Sequence, residues 1–520
     1  MNALVVYNTL TRRKEPLVPL VPGHIGIYLC GPTVYDDCHI GHVAGPVLID
    51  AVARWLQQRG HQVRFVNNIT DIDDKIIHRA QTTGEPWQAI TARYAEQYFG
   101  YLRALGVTTI TDHPRCSDFI AEMIQYIQDL VAKNRAYPAA DGVYYDVAQQ
   151  PGYGKLSGRK LDEMLAGVRI DRDSALRNPA DFCLWKLAKP GEPSWPSPWG
   201  LGRPGWHIEC SVMSTSLLGN QFDIHAGGDD LKFPHHENEI AQAEAHSGCY
   251  ANCWMHNGLL QYDGIKIGKS DPRMQDPAFR DQFRLAQLIK THGAPTIRFL
   301  LLQGHYRRPN DFAPANLTAQ RTALERLHRL LGPRLEEPGD GDFAACIALA
   351  EGDSELTTLV ERFGQVMDDD FRTGDASAVL FALADRLRKQ DDPRVRTLLR
   401  DLGRILGLFA PGDAAALAGS QEQTADLTPT MAGLLLLRQD ARARRDFAAA
   451  DALRDALTGL GITVKDGKDG ATWQAATSTD PERDAAVRAL ITPLLEAAQA
   501  RGNTDLVAAV QTALGTSTLV

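Results

Sequence analysis

Two imidazoles and one set of soft ligands are the residues best suited to chemistry in this chain. His39 and His42 close the segment Leu29-Cys-Gly-Pro-Thr-Val-Tyr-Asp-Asp-Cys-His-Ile-Gly-His42. An apolar run (Ile25, Ile27, Leu29) reads as a buried strand, and a helical pattern (Val47, Leu48, Ala51, Val52, Trp55, Leu56) follows Gly41. A strand, a polar turn and a helix N-terminus form the place where α/β proteins bind phosphate, because free N–H groups and the helix dipole face an anion there. Neither a GxGxxG nor a P-loop pattern is present. The spacing instead puts both imidazoles on one side of the incoming helix, which suits an ATP attacked at its α-phosphate. A capped turn with two surface histidines has the same letters.

The second constellation is metal-like. Cys30, Cys210 in His207-Ile-Glu-Cys210, and His235 with Glu239 in Pro234-His-His-Glu-Asn-Glu239 offer two thiolates, an imidazole and a carboxylate. His235 and Glu239 are four apart, so a helix would project them from one face. That donor set suits Zn²⁺ best. His236 and Glu209 are rival ligands in this reading, and buried cysteines acting as small hydrophobes are the plain alternative. Cys249 and Cys253, also four apart, have no further ligand near them in sequence and read as packing.

The elements that must position these groups are legible in outline. Residues 1–110 read as α/β, with a second strand at Val63–Thr70, an acidic turn at Asp71–Asp74 and a helix to about Thr83. Residues 111–205 are mixed and end in the irregular Pro190–Gly200 stretch; strand and helix signals return from Gly205 to about Leu302, and after about Ala315 the pattern turns helical. Helical patterns then run over Ala319–Leu331, Leu356–Met367, Ala376–Lys389 and Val395–Leu408, followed by a linker at Pro411–Leu427, a helical pair, a hairpin-like stretch at Gly461–Gly470 and an Ala-rich tail from Thr477.

Composition bounds the class. The 520 residues exceed one core, and 44% apolar with 23% charged residues is the balance of a globular enzyme. No stretch approaches a membrane span and the first residues lack a leader pattern, so a cytoplasmic location is expected. Eight irregularly spaced cysteines are not a disulfide framework. A net charge of −9 argues against indiscriminate nucleic-acid binding, yet leaves room for a large RNA held by local basic patches. One such patch gathers Arg438, Arg442, Arg444 and Arg445 near Lys465, Lys468 and Trp473, pairing phosphate ligands with a stacking ring. A solvated helix face is the alternative.

At this length of motif the chain resembles the cysteinyl branch of the class I aminoacyl-tRNA synthetases. The resemblance rests on the Leu29–His42 segment, Phe65–Lys75, Tyr153–Gly158, Ser197–Ser211, Asp223–Ile240 and Gly304–Arg308, and continues through Met367–Phe371 and Asp440–Trp473. It implies an α/β fold: a Rossmann-like catalytic domain in two halves (1–110 and 206–315) around a connective insertion (111–205). A DALR-like helical bundle (316–425) and a small mixed anticodon-binding domain (426–475) follow, with a tail (476–520) to which no role is given. It also implies that Cys30, Cys210, His235 and Glu239 hold one Zn²⁺ that binds the substrate thiol. A hydrophobic pocket rejects a near-isostere weakly, whereas a soft metal prefers sulfur, so no separate editing domain is needed.

By the same resemblance, the cysteine carboxylate attacks the ATP α-phosphate and the terminal ribose hydroxyl of tRNA(Cys) then takes the cysteinyl group. ATP, carried with Mg²⁺, is expected on Gly31, Thr33, His39, Gly41, His42 and Lys269. His39, His42, Lys266 and Lys269 supply catalytic charge. Trp206, Asp230 and Thr70 are expected at the amino acid, and Arg438, Arg442, Arg445 and Trp473 at the tRNA of a monomeric enzyme. The lysine loop departs from the family: Lys-Met-Ser-Lys-Ser-Leu-Gly-Asn is replaced by Lys266-Ile-Gly-Lys-Ser-Asp-Pro-Arg273, with Arg273, Arg280 and Arg284 added nearby. Both lysines remain, so activity is expected. Two rival readings are a ligase joining cysteine to an amino sugar, which would lack the anticodon-like residues, and a non-catalytic cysteine- or RNA-binding relative.

Overall fold

The computed structural model describes residues 3–159, 176–266, 273, 276–339, 341–419, 428–467, 470–475, 483, 486–487 and 489–514. By internal contacts the chain divides into two units, Met1–Leu417 and Ala418–Val520.

In the first unit a hairpin of β1 (Val5–Asn8) and β2 (Arg13–Pro16) precedes β3 (His24–Leu29), α1 (Gly41–Gln58), β4 (Gln62–Asn67) and α2 (Asp74–Thr83). The helix Trp87–Ala104, here α3, leads to α4 (Ile120–Ala132) and an antiparallel sheet of β5 (Ala136–Ala139), β6 (Gly142–Tyr145), β7 (Phe182–Leu187) and β8 (Gly202–Pro204) in that order. The chain then returns through α5 (Trp206–Leu218), β9 (Phe222–Gly228), α6 (His235–Ser247) and β10 (Ala251–Asn257).

The central sheet has order β10-β9-β3-β4 and is parallel throughout. Its strands are covered on both faces, and Ile27, Tyr28, Leu29, Phe65, Val66 and Ile224 are all almost fully buried. Leu29 pairs with both Asn67 and Ala226, so β3 and β4 end together while β9 runs two residues further to Gly228. That level is the rim where open parallel sheets place their ligands. One face of α1 packs Val47, Ala51, Val52, Trp55 and Leu56 into the core. The helical patterns read from sequence are helices at Pro314–Leu331, Ser354–Asp368, Thr373–Lys389 and Pro393–Ile405.

The stretch from Pro411 is a correction: its first part is not a linker but the helix Asp413–Gly419. Its alanines favour helix, and Leu417 is buried in the main core with its carbonyl accepting from Arg321. Residues 420–427 of that expected linker lie outside the described residues.

In the second unit, helices Thr428–Ala443 and Phe447–Gly459 precede a hairpin of Ile462–Gly467 on Gly470–Ala475. The tail forms helices Ile491–Ala500 and Thr504–Ala513. Ile491, Ala498 and Val510 are buried in one cluster with Met431, Leu434, Leu453 and Leu457, so the tail completes this unit's core.

Candidate active site and metal centre

Four side chains from three elements converge at the end of β3. Cys30 follows β3 directly, Cys210 lies on α5, and α6 presents His235 and Glu239 from one face. Their ligand atoms all lie within 4.8 Å of one another. Cys30 Sγ is 3.7 Å from Cys210 Sγ and 3.5 Å from Glu239 Oε1, and His235 Nε2 is 3.0 Å from the same oxygen. Two sulfurs at zinc-ligand distance in a tetrahedral site lie about 3.8 Å apart, so the thiol pair is spaced for Zn²⁺.

A second set, Cys30, His225, His236 and Glu239, meets the same distance limit. Its members also contact the first set. His225 Nε2 lies 2.7 Å from Glu239 Oε2, and the Tyr250 hydroxyl donates to that oxygen at 2.8 Å. His236 Nε2 is 3.3 Å from Cys30 Sγ, while its Nδ1 meets His256 Nε2 at 2.8 Å and His256 Nδ1 meets Thr9 Oγ1 at 2.9 Å. Glu239 thus turns Oε1 towards His235 and has Oε2 held from behind. Outer-shell groups of this kind orient ligands and tune the site. His207 Nδ1, 3.0 Å from His235 Nδ1, does the same for that ring.

Electrostatics follow from this crowding. Cys30 donates to Cys210 and draws that thiol down to about 6, with burial opposing. Burial, followed by the neighbouring Cys210, pushes Cys30 well up. For His235, burial lowers the value, but the charges of Glu239 and Cys210 carry it up to about 10. Glu239 is held well below the carboxylate range: burial opposes, and His225 and His235 overcome it. A cation bound here would take the place of the protons on Cys30 and His235.

Of the rival ligands, His236 reaches Cys30 as a member of the second set, whereas Glu209 is elsewhere. Glu209 Oε2 accepts from Thr70 Oγ1 at 3.1 Å and from Cys116 Sγ at 2.8 Å, and burial pushes its carboxyl well up. Thr70, expected at the substrate, is therefore 2% exposed and spends its hydroxyl on Glu209. Cys249 and Cys253 belong to neither set.

The nucleotide turn is built by close approach. A Cβ on Gly31 would sit 1.6 Å from the Asn68 carbonyl, and Gly31 N–H donates to Asn68 Oδ1 at 2.8 Å. Half-buried Thr33 bridges to Thr70. The His39 and His42 rings stack at 3.8 Å, and His39 Nδ1 accepts from Gly41 N–H at 3.1 Å. A Cβ on Gly41 would meet the His39 ring at 2.9 Å.

Lys266 ends a short strand, Ile265–Lys266, and Lys269 lies outside the described residues. The chain after that loop zips onto the histidine turn. Leu285 N–H donates to Cys38 O at 2.8 Å, Ile40 N–H donates to Phe283 O at 3.2 Å, and Arg284 pairs with Asp37 at 3.2 Å.

Trp206 is 42% exposed and its ring lies 4.3 Å from that of His235, centroid to centroid, at the wall of a cavity of about 500 Å³. Asp230 is exposed in the turn after β9, against the backbone of Gly228. In the second unit Arg442 and Arg445 are exposed, and Trp473 is half-buried against the local core. Arg438 is a correction: it is 4% exposed, because the helix face that carries it is packed inward, and it is not presented at the surface to a phosphate. Sequence reasoning missed His207, His225, His256 and Cys116; a polar residue inside an apolar strand, as at His225 between Ile224 and Ala226, was the available signal.

The family model described as the tRNA synthetases class I (C) catalytic domain matches residues 16–322. A cysteine–tRNA ligase of Laribacter hongkongensis is 44% identical over 475 residues, covering 91% of this chain and 100% of its own length. The chain belongs to the cysteine–tRNA ligase family. Another relative, the cysteine–tRNA ligase of Alkalilimnicola ehrlichii, is 45% identical over 480 residues, 91% of this chain and 99% of its own. A DALR domain model matches residues 362–410, and the cysteinyl-tRNA ligase anticodon binding domain matches 424–473. The LeuRS of Agrobacterium radiobacter K84, solved with tRNA and LeuAMS, shares the fold: TM-score 0.52 at 14% identity, over 78% of this chain and 86% of that one. As a member of the cysteine–tRNA ligase family, the chain is a class I synthetase whose parallel sheet carries the histidine turn and the thiol-lined cluster on one rim. Among the described residues no helix is long and apolar enough to cross a membrane.

Proposed function

We propose that this enzyme joins L-cysteine to tRNA(Cys) through a cysteinyl-adenylate, and that it selects cysteine at Cys30, Cys210, His235 and Glu239. The observation that carries the reading is the spacing of those four donors beside the histidine turn. They would hold one Zn²⁺, which when bound supplies a soft Lewis acid preferring a substrate thiolate to a hydroxyl. Trp206 walls the amino-acid pocket and Asp230 receives the ammonium; Thr70 shapes the pocket floor through Glu209.

His39, His42 and the N–H groups at Gly31, Thr33 and Gly41 receive the ATP phosphates, which arrive with Mg²⁺. Lys266 and Lys269 add positive charge as pyrophosphate leaves, and Arg284 keeps the returning chain against the turn. No protein nucleophile is required: in-line attack by the cysteine carboxylate is favoured by position and charge. The amino acid then passes to the terminal ribose hydroxyl of tRNA. Arg442 and Arg445, with Trp473, hold the anticodon side. The domain division follows 1–110, 111–205, 206–315, 316–425 and 426–475, with 476–520 as an added helical pair, in a cytoplasmic monomer.

Two assays test the reading. Cysteine-dependent ATP–pyrophosphate exchange should occur with zinc loaded, and tRNA(Cys) should then be charged. Absence of exchange sinks the proposed chemistry. Exchange with charging of a small amine in place of tRNA supports the amino-sugar ligase instead.

A further inference from the structure

Lys266 stands at the end of a hairpin whose own ladder is too short to fix it. β11 (Leu260–Tyr262) pairs with β12 (Ile265–Lys266) by setting Gln261 against Lys266 and Tyr262 against Ile265. Asp263 and Gly264 form the turn, both in the left-handed region at φ 52° and 71°, as a two-residue hairpin loop requires. Residues 263–265 are exposed, and a two-stranded hairpin by itself is marginal in water.

The hold comes from β13 (Asn310–Asp311), which lies parallel to β11 on its other side. Asp311 Oδ2 accepts from Gly264 N–H at 2.7 Å and Oδ1 from Asp263 N–H at 3.2 Å, so one carboxylate takes both turn N–H groups. Oδ1 also accepts from Ala313 N–H at 2.9 Å, which ties the carboxylate to the start of the helix Pro314–Leu331. The next residue, Phe312, is buried, and its ring centroid lies 5.6 Å from that of Tyr262.

The same aromatic cluster reaches the histidine turn. Tyr262 meets Phe283 at 5.3 Å between ring centroids, and the Phe283 carbonyl accepts from Ile40 N–H, between His39 and Gly41. The point from which Lys266 departs is therefore referred to the histidine turn through Asp311, Tyr262 and Phe283. Water could pair the two turn N–H groups at this exposed position, so the carboxylate is not needed to rescue buried donors. What it adds is a fixed direction.

We propose that Asp311 is a positioning residue for the adenylation step: by holding the turn at Asp263 and Gly264, it sets where Lys266 stands relative to His39 and His42. The proposal rests on the ligase reading above, in which Lys266 adds charge as pyrophosphate leaves. Asp311 acts through the turn and touches neither ATP nor cysteine.

Asp311→Ala tests it in the full-length, zinc-loaded enzyme. The kcat of cysteine-dependent ATP–pyrophosphate exchange should fall about 10- to 100-fold, the scale of misplacing a reacting group's partner by about 1 Å. The KM for cysteine should stay within about twofold, since other residues bind the amino acid. Transfer to tRNA(Cys) from preformed adenylate should also stay within about twofold, because pyrophosphate has left by then. Asp311→Asn, which keeps one acceptor oxygen for the turn, should recover most of the lost rate. A double-variant cycle gives the sharpest readout: Lys266→Ala should slow exchange, and adding Asp311→Ala to it should cost little more. Full additivity of the two losses would overturn the proposal, and so would unchanged exchange in either single variant. A parallel fall in exchange, transfer and thermal midpoint would overturn it too, since a merely structural role gives that pattern. A wild type that neither exchanges nor charges would overturn the ligase reading itself, and this proposal with it.

Discussion

Arg298 Nη2 donates to Asp50 Oδ2 at 2.6 Å, across 248 residues of chain, with both side chains almost fully buried. Asp50 lies on α1, the helix behind the histidine turn, and Arg298 lies on the helix Ala294–Gln303. Arg54 binds the same oxygen of Asp50, while Thr108 and Thr109 N–H groups donate to the other at 2.9 and 3.1 Å. Arg298 also donates to the carbonyls of Leu105 and Leu406. The pair therefore ties the two halves of the catalytic unit to the helical segment behind them. Removing one partner leaves a buried charge unpaired, a loss of about 3–5 kcal/mol. Arg298→Met should lower the thermal midpoint of the first unit markedly, as calorimetry would show.

The same pair sets a pH dependence. Burial pushes the Asp50 carboxyl up, but Arg298 and Arg54 outweigh it and hold the group at about 2 against an ordinary 3.8. The folded value lies below the unfolded one, so the stabilisation is complete above about pH 4 and disappears as pH falls through 2. The difference in unfolding free energy between wild type and Asp50→Asn should narrow by about 1 kcal/mol between neutral pH and about pH 3. Denaturant titrations at both pH values measure it; a constant gap would show that Asp50 does not carry the effect.

Gly31→Ala should leave the fold and disable adenylation. The added Cβ would lie 1.6 Å from a backbone carbonyl, so Asn68 and the nucleotide turn must part. Displacement of about 1 Å in a positioning loop costs on the order of 100-fold in rate. Pyrophosphate exchange should fall by that factor while circular dichroism is unchanged.

Metal content separates ligands from supports. Cys210→Ala should abolish high-affinity zinc, since it removes a donor. His225→Ala or His236→Ala should keep one equivalent at saturation and weaken affinity about 10–100-fold, the usual effect of losing an outer-shell partner. Chelator competition with elemental analysis reads both, and loss of stoichiometric zinc in His236→Ala alone would exchange the roles of the two sets.

The tail should prove to be part of its unit's core. A Cβ on Gly433 would meet Ile491 Cδ1 at 2.8 Å and Val510 Cγ1 at 3.2 Å, and Asn503 donates to Asp440 at 3.0 Å. Gly433→Val should overpack this region and destabilise the second unit by about 1–3 kcal/mol. Amino-acid activation, which depends on the first unit, should be unaffected. Protease sensitivity confined to residues after 418 would mark the expected outcome.

The chemistry-bearing residues were legible in the chain because their types are informative at any distance. Thiols, imidazoles and carboxylates in long ordered motifs pointed to cysteine activation, and the apolar runs at Ile25–Leu29 and Val47–Leu56 predicted the strand and helix that hold the turn. Sequence periodicity could not tell which way a side chain meets its neighbours. Arg438 looked like a phosphate ligand until the packing of its helix put it inside, and Ala-rich residues after Pro411 read as a linker until Leu417 found a core to enter. His235 and His236 were interchangeable as letters. They separated when α6 docked against β9 and β10, which turned one imidazole towards Glu239 Oε1 and the other into a chain ending at Thr9. Donor identity is a property of composition along the chain, whereas donor direction comes from which faces bury together, and that depends on contacts hundreds of residues apart.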